Sequence, residues 1–360
     1  MKIMQVVGNR PQFIKLAPVS RELRKRGFEE IIIHTGQHYD ENMSDIFFEE
    51  LGIPKPTCNL NIGSGTHAEI TAKAMLGLEK VMVEYEPDLV MVYGDTNSTL
   101  AAAIVAKKLN LKLLHIEAGV RTYEEKNPEE TNRVIVDRIS DILCTPDRRS
   151  VENLKKEGVS QDKIFFTGDV MYDEFLYCAK QKTDNELVNK FSDGYILLTW
   201  HRQENTSSCE RMSAILDFLQ QIDYPIIFPM HPRTMKMINI YGLTDKLNEI
   251  KHLHVVPPVG YIEMIQLLSN CKLLVSDSGG TSKEASFVGK KCLYILNLKV
   301  WPELIENGNT QIVDFDDDKS MAAAMNVVIA AKSGNIEMQK VDFFGEGDAA
   351  VKIADIVQTL

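Results

Sequence analysis

LLHIEAGVRTYEEKNPEETNRVIVDRI, Leu113 to Ile139, passes from an apolar run to a crowd of acids and then to a helical pattern. Leu113–Ile116 is largely apolar on successive residues, as a strand buried on both faces should be. Pro128, Glu129 and Glu130 read as the opening of a helix, where acids also complement the helix dipole. Strand, polar turn and helix together form the repeating unit of a parallel sheet.

The same unit recurs to either side. Candidate strands are Ile3–Val7, Glu30–His34, Leu89–Tyr93, Ile142–Thr145 and Ile164–Thr167, with helical patterns at Ile14–Arg26, Glu69–Tyr85 and Thr99–Leu109. Such alternation predicts a parallel sheet with helices on both faces. Asp173–Lys190 is polar and helical, and Phe191–Gly194 marks a break. The pattern then restarts with strands at Ile196–Thr199, Ile226–Pro229, Leu253–Val256, Leu273–Ser276, Cys292–Leu296 and Ile312–Phe315. Helices are expected at Met212–Gln221, Tyr261–Leu268 and Met321–Ala331. The expectation is an α/β protein of two doubly wound, Rossmann-like halves, as a chain of 360 residues also suggests.

Hydrophobic residues make up 44% and charged residues 25%, a globular composition. The formal net charge of −11 argues against general nucleic-acid binding, whose footprint is basic. Six scattered cysteines form no C-x-x-C pair, which fits a reducing compartment. MKIMQVVGNRP reads as a first strand and not as a signal peptide, and no apolar run approaches a membrane span. A cytoplasmic protein without membrane insertion is expected.

Ligands bind such sheets beyond the carboxyl ends of the strands. The unusual residues lie there: Gly8-Asn-Arg10, Gly94-Asp95, Glu117-Ala-Gly119, Trp200-His-Arg202, His231-Pro-Arg233 and Asp277-Ser-Gly-Gly280. Polar strand ends in both halves suggest one cleft between the domains. Gly8 permits a tight turn, and Arg10 stands beside free helix N–H groups, as a phosphate would need. Lys15 follows about a turn later; it points back at the cleft or at water. Ser278, Gly279 and Gly280 let a phosphate approach a helix N-terminus, and Glu284 lies a turn further in, near where ribose hydroxyls could sit. His201 and His231, each beside an arginine, suit a departing diphosphate. His252 and His254 are taken as structural.

The acids divide. Asp95 and Glu117 end strands, whereas Glu129 and Glu130 open a helix; Glu124 and Glu125 read as solvated. A metal site is not expected, since no histidine shares their spacing and Arg121 and Arg133 crowd the stretch. Paired carboxylates facing an anion pocket suggest acid/base work on a sugar.

GNRPQFIK, VYGDTNST, HIEAGVRT, NPEETNR, TGDVMYD, HRQEN, HPRT and SDSGG, in this order, resemble the non-hydrolysing UDP-N-acetylglucosamine 2-epimerase family across nearly the whole chain. The resemblance implies two Rossmann-like domains in the GT-B arrangement with the ligand in the inter-domain cleft. Residues 1–172, completed by a C-terminal helix at 347–360, would form the first, residues 190–346 the second, and 173–189 a helical linker. It implies a UDP-sugar substrate, no cofactor and a homodimer. By resemblance Asp95, Glu117, Glu129, His201 and Lys15 are catalytic, and Arg10, His231, Ser278, Gly279, Gly280 and Glu284 hold UDP. The implied reaction is reversible C2 epimerisation through 2-acetamidoglucal, in supply of cell-envelope polysaccharide precursors.

Two stretches depart from the family. Ile295–Glu303 lacks the arginine, aspartate, threonine and first glutamate of R-D-x-T-E-x-P-E, and Gln37–Glu41 lacks the arginine of Q-H-R-E-M, so allosteric activation by substrate is not expected. His34–Pro56 is similar to the branch acting on UDP-2,3-diacetamido-2,3-dideoxy-glucuronate. The alternatives are that branch, a hydrolysing 2-epimerase releasing ManNAc and UDP, a glycosyltransferase, and a non-catalytic UDP-sugar-binding protein.

Overall fold

The computed structural model describes residues 1–36, 48–124, 126–181, 185–296, 301–336 and 342–360. The chain divides into two units: Met1–Tyr177 with Asp342–Leu360, and Cys178–Val341.

The first unit holds β1 (Lys2–Val7), β2 (Glu29–His34), β3 (Cys58–Asn59), β4 (Leu89–Tyr93), β5 (Lys112–Ile116), β6 (Ile142–Thr145) and β7 (Ile164–Phe166). Every pairing is parallel, in the order 3-2-1-4-5-6-7. The second holds β8 (Ile196–Thr199), β9 (Ile226–Pro229), β10 (Leu253–Val256), β11 (Leu273–Ser276), β12 (Cys292–Tyr294) and β13 (Thr310–Ile312), parallel in the order 10-9-8-11-12-13. Both orders reverse at the first strand of the unit. The gap beyond β1 and β4, and that beyond β8 and β11, are therefore the topological switch points where ligands bind such sheets.

The strands form where β-branched and aliphatic residues run consecutively, because helices cover both faces. Met4, Val6, Val90 and Val92 are among the core of the first unit; Leu198, Phe228, Val275 and Leu293 are among that of the second. The helix Arg10–Lys25 starts a turn before the apolar pattern suggests, since Asn9 caps it and Pro11 suits its first turn. Asp173–Lys190 is two helices, Val170–Ala179 and Glu186–Lys190, the second capped by Asn185. The last strand lies at Thr310–Ile312 instead of Ile312–Phe315. Register with β12 sets it (Tyr294 opposite Ile312), and the Asp314 amide donates to Ser320 Oγ at 2.9 Å. For the same reason β12 stops at Tyr294: the Ile295 carbonyl is taken by Asn205 and Arg211 side chains.

The terminal helix Ala349–Gln358 packs on Arg10–Lys25 through buried Ile353, Ala354 and Val357. Asp173 accepts the Ala349 and Ala350 amides at 3.1 and 2.7 Å and so holds the start of that helix. Burial pushes the Asp173 carboxyl up to about 6. No described helix is long and apolar enough to cross a membrane.

Candidate active site

In the first unit the strand ends gather around Gln12. Its amide oxygen accepts from Gly8 N at 2.7 Å, and its nitrogen donates to Tyr93 O at 2.8 Å and to the hydroxyls of Thr96 and Thr99. This residue, given no role above, ties the turn after β1 to the turn after β4. Gly8 is obligatory in that turn: a Cβ there would meet Thr35 Oγ1 at 2.4 Å and Ser98 Oγ at 2.5 Å.

Lys15 therefore points inward. It is 7% exposed and forms an ion pair with Glu117, beside the Gly94 backbone. Glu117 follows β5 directly with a positive φ of 71°, a backbone region that L-residues other than Asn and Asp rarely adopt. Its amide and that of Ala118 both donate to Cys144 O at 3.0 Å, which fixes the turn. Strain held in this way clusters at functional positions.

Asp95 pairs with Arg133, and Asn132 Nδ2 donates to the Asp95 carbonyl at 2.8 Å. Arg133 also holds Glu130 at 2.9 Å. Glu130 in turn accepts from the Thr122 amide and hydroxyl and the Tyr123 amide. Burial would push the Glu130 carboxyl up, but these donors and Arg133 outweigh it and hold it below the usual range. Glu130 and Arg133 thus brace the loop and helix, and Arg133 has the further task of pairing with Asp95. Glu129, half-buried on the same helix, makes no side-chain hydrogen bond or ion pair among the described residues. Glu124 is exposed; Glu125 lies outside the described residues. Arg10 is exposed in the first helical turn.

In the second unit Ser278 caps the helix Gly279–Phe287 by accepting from Thr281 N at 3.3 Å. The amides of Gly279 and Gly280 open that helix, where no preceding turn offers carbonyls. Trp301 Nε1 donates to Gly279 O at 3.1 Å. Glu284 is buried and accepts from the Tyr261 hydroxyl at 2.9 Å. The rings of His201 and His231 stand 5.3 Å apart beyond β8 and β9. His231 Nδ1 accepts from Arg233 N at 3.1 Å, so its proton sits on Nε2 in the neutral ring. His252 donates to Leu219 O, and His254 packs on Phe191.

Asp277 was quoted above as part of a motif without a role. It is fully buried at the end of β11 and accepts from the amides of His201 and Arg202 (3.0 and 2.8 Å) and from Asn205 Nδ2 at 3.2 Å. One oxygen lies 3.5 Å from His201 Nδ1. Burial raises its carboxyl, against the pull of these donors. A carboxylate directly before a phosphate-type turn was the available signal. Among the described residues no cluster of His, Cys, Asp and Glu could hold a metal ion. The departures at 37–41 and 297–300 lie outside the described residues.

The two units thus carry ion-paired carboxylates at one switch point and histidines with a helix N-terminus at the other. A family model described as UDP-N-acetylglucosamine 2-epimerase matches residues 21–358. A Methanococcus maripaludis protein named UDP-N-acetylglucosamine 2-epimerase homolog is 45% identical over the whole of both chains. The UDP-2,3-diacetamido-2,3-dideoxy-D-glucuronate 2-epimerase of Pseudomonas aeruginosa is 42% identical, again end to end. The crystal structure of Methanocaldococcus jannaschii UDP-GlcNAc 2-epimerase with UDP-GlcNAc and UDP matches with a TM-score of 0.88 at 40% identity, covering all of both chains. Matched over nearly its whole length by that family model and end to end by these relatives, this chain belongs to the UDP-N-acetylglucosamine 2-epimerase family.

Proposed function

We propose that the protein interconverts UDP-GlcNAc and UDP-ManNAc, or a close derivative, by elimination and re-addition of UDP. The C1–oxygen bond to the diphosphate breaks with both electrons going to UDP. A carboxylate removes the C2 proton, leaving the C1=C2 double bond of 2-acetamidoglucal. A second acid returns a proton to the other face of C2 while a diphosphate oxygen of UDP attacks C1. The chain's part is to hold UDP, place carboxylates near C1 and C2, and offset charge as the diphosphate leaves.

Asp95, Glu117 and Glu129 supply the proton transfers in this reading, with Lys15 balancing Glu117. Ser278, Gly279, Gly280 and Glu284 hold UDP, His201 and His231 face the diphosphate, and Arg10 adds a cation. The observation that carries the reading is Glu117: a carboxylate only 11% exposed, with a left-handed backbone, ion-paired to Lys15 beside a switch point. In D2O, NMR should detect deuterium at C2 of UDP-GlcNAc with UDP still attached. Free ManNAc would instead make the enzyme hydrolysing. Glu117→Gln should abolish exchange while UDP binding survives.

A second reading is favoured by the full-length match to the Pseudomonas aeruginosa enzyme at nearly equal identity. In that case UDP-2,3-diacetamido-2,3-dideoxy-glucuronate exchanges deuterium and UDP-GlcNAc does not. A homodimer is part of the proposal. Leu76 and Val83 on helix His67–Tyr85, and Val134 and Ile135 on helix Pro128–Ile139, are exposed apolar residues that a second copy would cover. Light scattering behind size exclusion reads the state directly. A cytoplasmic location fits the cysteines, of which all six are free.

A further inference from the structure

Beneath the proposed acids runs a buried chain of polar groups that proton transfer does not use. His115, the penultimate residue of β5, is fully buried. Its Nε2 lies 2.8 Å from Gly94 O and its Nδ1 2.7 Å from Asp137 Oδ1. A carbonyl oxygen only accepts, so Nε2 carries a proton. The other oxygen of Asp137 accepts from Gly119 N at 3.0 Å and from Arg121 Nη1 at 2.7 Å. Arg121 then grips Glu157 through two bonds of 2.8 Å, and Asn153 Nδ2 donates to Gly119 O at 3.0 Å. Burial would push the Asp137 carboxyl up, yet His115 and Arg121 more than offset it and hold it below the usual range.

Each arm of this chain ends beside an acid. Gly94 directly precedes Asp95. Gly119 closes the turn that opens with Glu117, and it tolerates no side chain, since a Cβ would sit 2.4 Å from Ser150 O with φ at +81°. Asp137 is on the helix that carries Glu129, roughly two turns further on. Three segments that are far apart in sequence therefore meet on one imidazole and one carboxylate. Stability alone does not ask for this, because apolar side chains of similar volume commonly replace buried ion pairs without loss. Geometry does. A rigid ring with a polar nitrogen on each side fixes the separation of the Gly94 carbonyl and the Asp137 carboxylate, which an aliphatic side chain cannot do.

We infer that His115 and Asp137 are positioning residues for C2 epimerisation, setting the spacing of Asp95, Glu117 and Glu129 without touching the sugar. This rests on the functional reading above. The test compares wild type with His115→Gln, which keeps a donor near Gly94 O, and with His115→Ala. It measures kcat and KM for the nucleotide sugar that wild type turns over, UDP affinity by calorimetry, and folded content by circular dichroism. A misplacement of about 1 Å costs on the order of 100-fold in rate. His115→Ala should lose about that in kcat and His115→Gln distinctly less, with KM and UDP affinity near wild type. Wild-type kcat in His115→Ala overturns the inference, as does a fall in kcat, UDP affinity and folded content together. If wild type exchanges no deuterium with either nucleotide sugar, the functional reading fails and the inference falls with it. If wild type is active and the variants match it, only the inference fails.

Discussion

Replacing Lys15 with methionine removes one cation and little volume. The side chains of Lys15 and Glu117 are only 9% and 11% exposed, so the variant leaves a buried carboxylate without its cation. Breaking such a pair from one side costs about 3–5 kcal/mol. At the lower end, a unit of this size should melt roughly 6–12 °C earlier near pH 8. Thermal melts by circular dichroism read the effect. Adding Glu117→Gln should restore most of the stability, since the orphaned charge is then gone. A double variant no more stable than Lys15→Met refutes the claim that charge pairing holds these residues together.

Ser278→Ala removes a helix cap, at about 1 kcal/mol. It should also weaken UDP binding about tenfold, as loss of one bond to a charged group does; calorimetry checks both the affinity and that Glu117→Gln leaves it intact. Asp173 titrates near 6, against 3.8 ordinarily. Its folded value is raised, so the stability it contributes is present below about pH 4 and is lost as pH rises through 6. Asp173→Asn cannot titrate, so its stability relative to wild type should improve by roughly 2–3 kcal/mol from pH 4 to pH 7 in urea titrations. Glu124→Ala, on an exposed loop residue, should stay within about 0.5 kcal/mol of wild type and keep full exchange activity.

Most of the architecture was legible because buried parallel strands announce themselves as apolar runs. β4, β6 and β8 to β11 begin and end where the runs do. β3 was not legible: Cys58–Asn59 has two residues, pairs only with the end of β2, and carries no apolar signal. Helix starts were misplaced for a related reason. Periodicity detects the buried stripe, whereas the first turn of Arg10–Lys25 is set by the Asn9 cap. Within the site the residue types pointed correctly to strand ends, but their partners did not show. Arg133 could be seen to crowd the acids, but not to be the counter-ion of Asp95, because that pair spans 38 positions. Gln12 and Asp137 were invisible since neither stands at a strand end. Their roles come only from which carbonyls and amides the fold brings to them.

The two units also explain how a chain of net charge −11 could take an anionic nucleotide. The acids at the first switch point do not face outward as a bank of bare charge. Glu117 is balanced by Lys15, Asp95 and Glu130 share Arg133, and Asp137 shares Arg121 with Glu157. In the second unit Asp277 directs its charge at backbone amides within the fold, leaving a helix N-terminus and two histidines as the nearby donors. Screening leaves remote surface charge with little influence on a ligand more than about 8–10 Å away. On the proposed reading, what the nucleotide meets is set by these local pairs. An acid held against a cation is also the form of carboxylate that elimination requires. In the proposed reaction, when Glu117 takes the C2 proton, Lys15 is released from the pair and its charge is free to offset the change. On that reading Lys15→Met should lose more in kcat than its folded fraction explains.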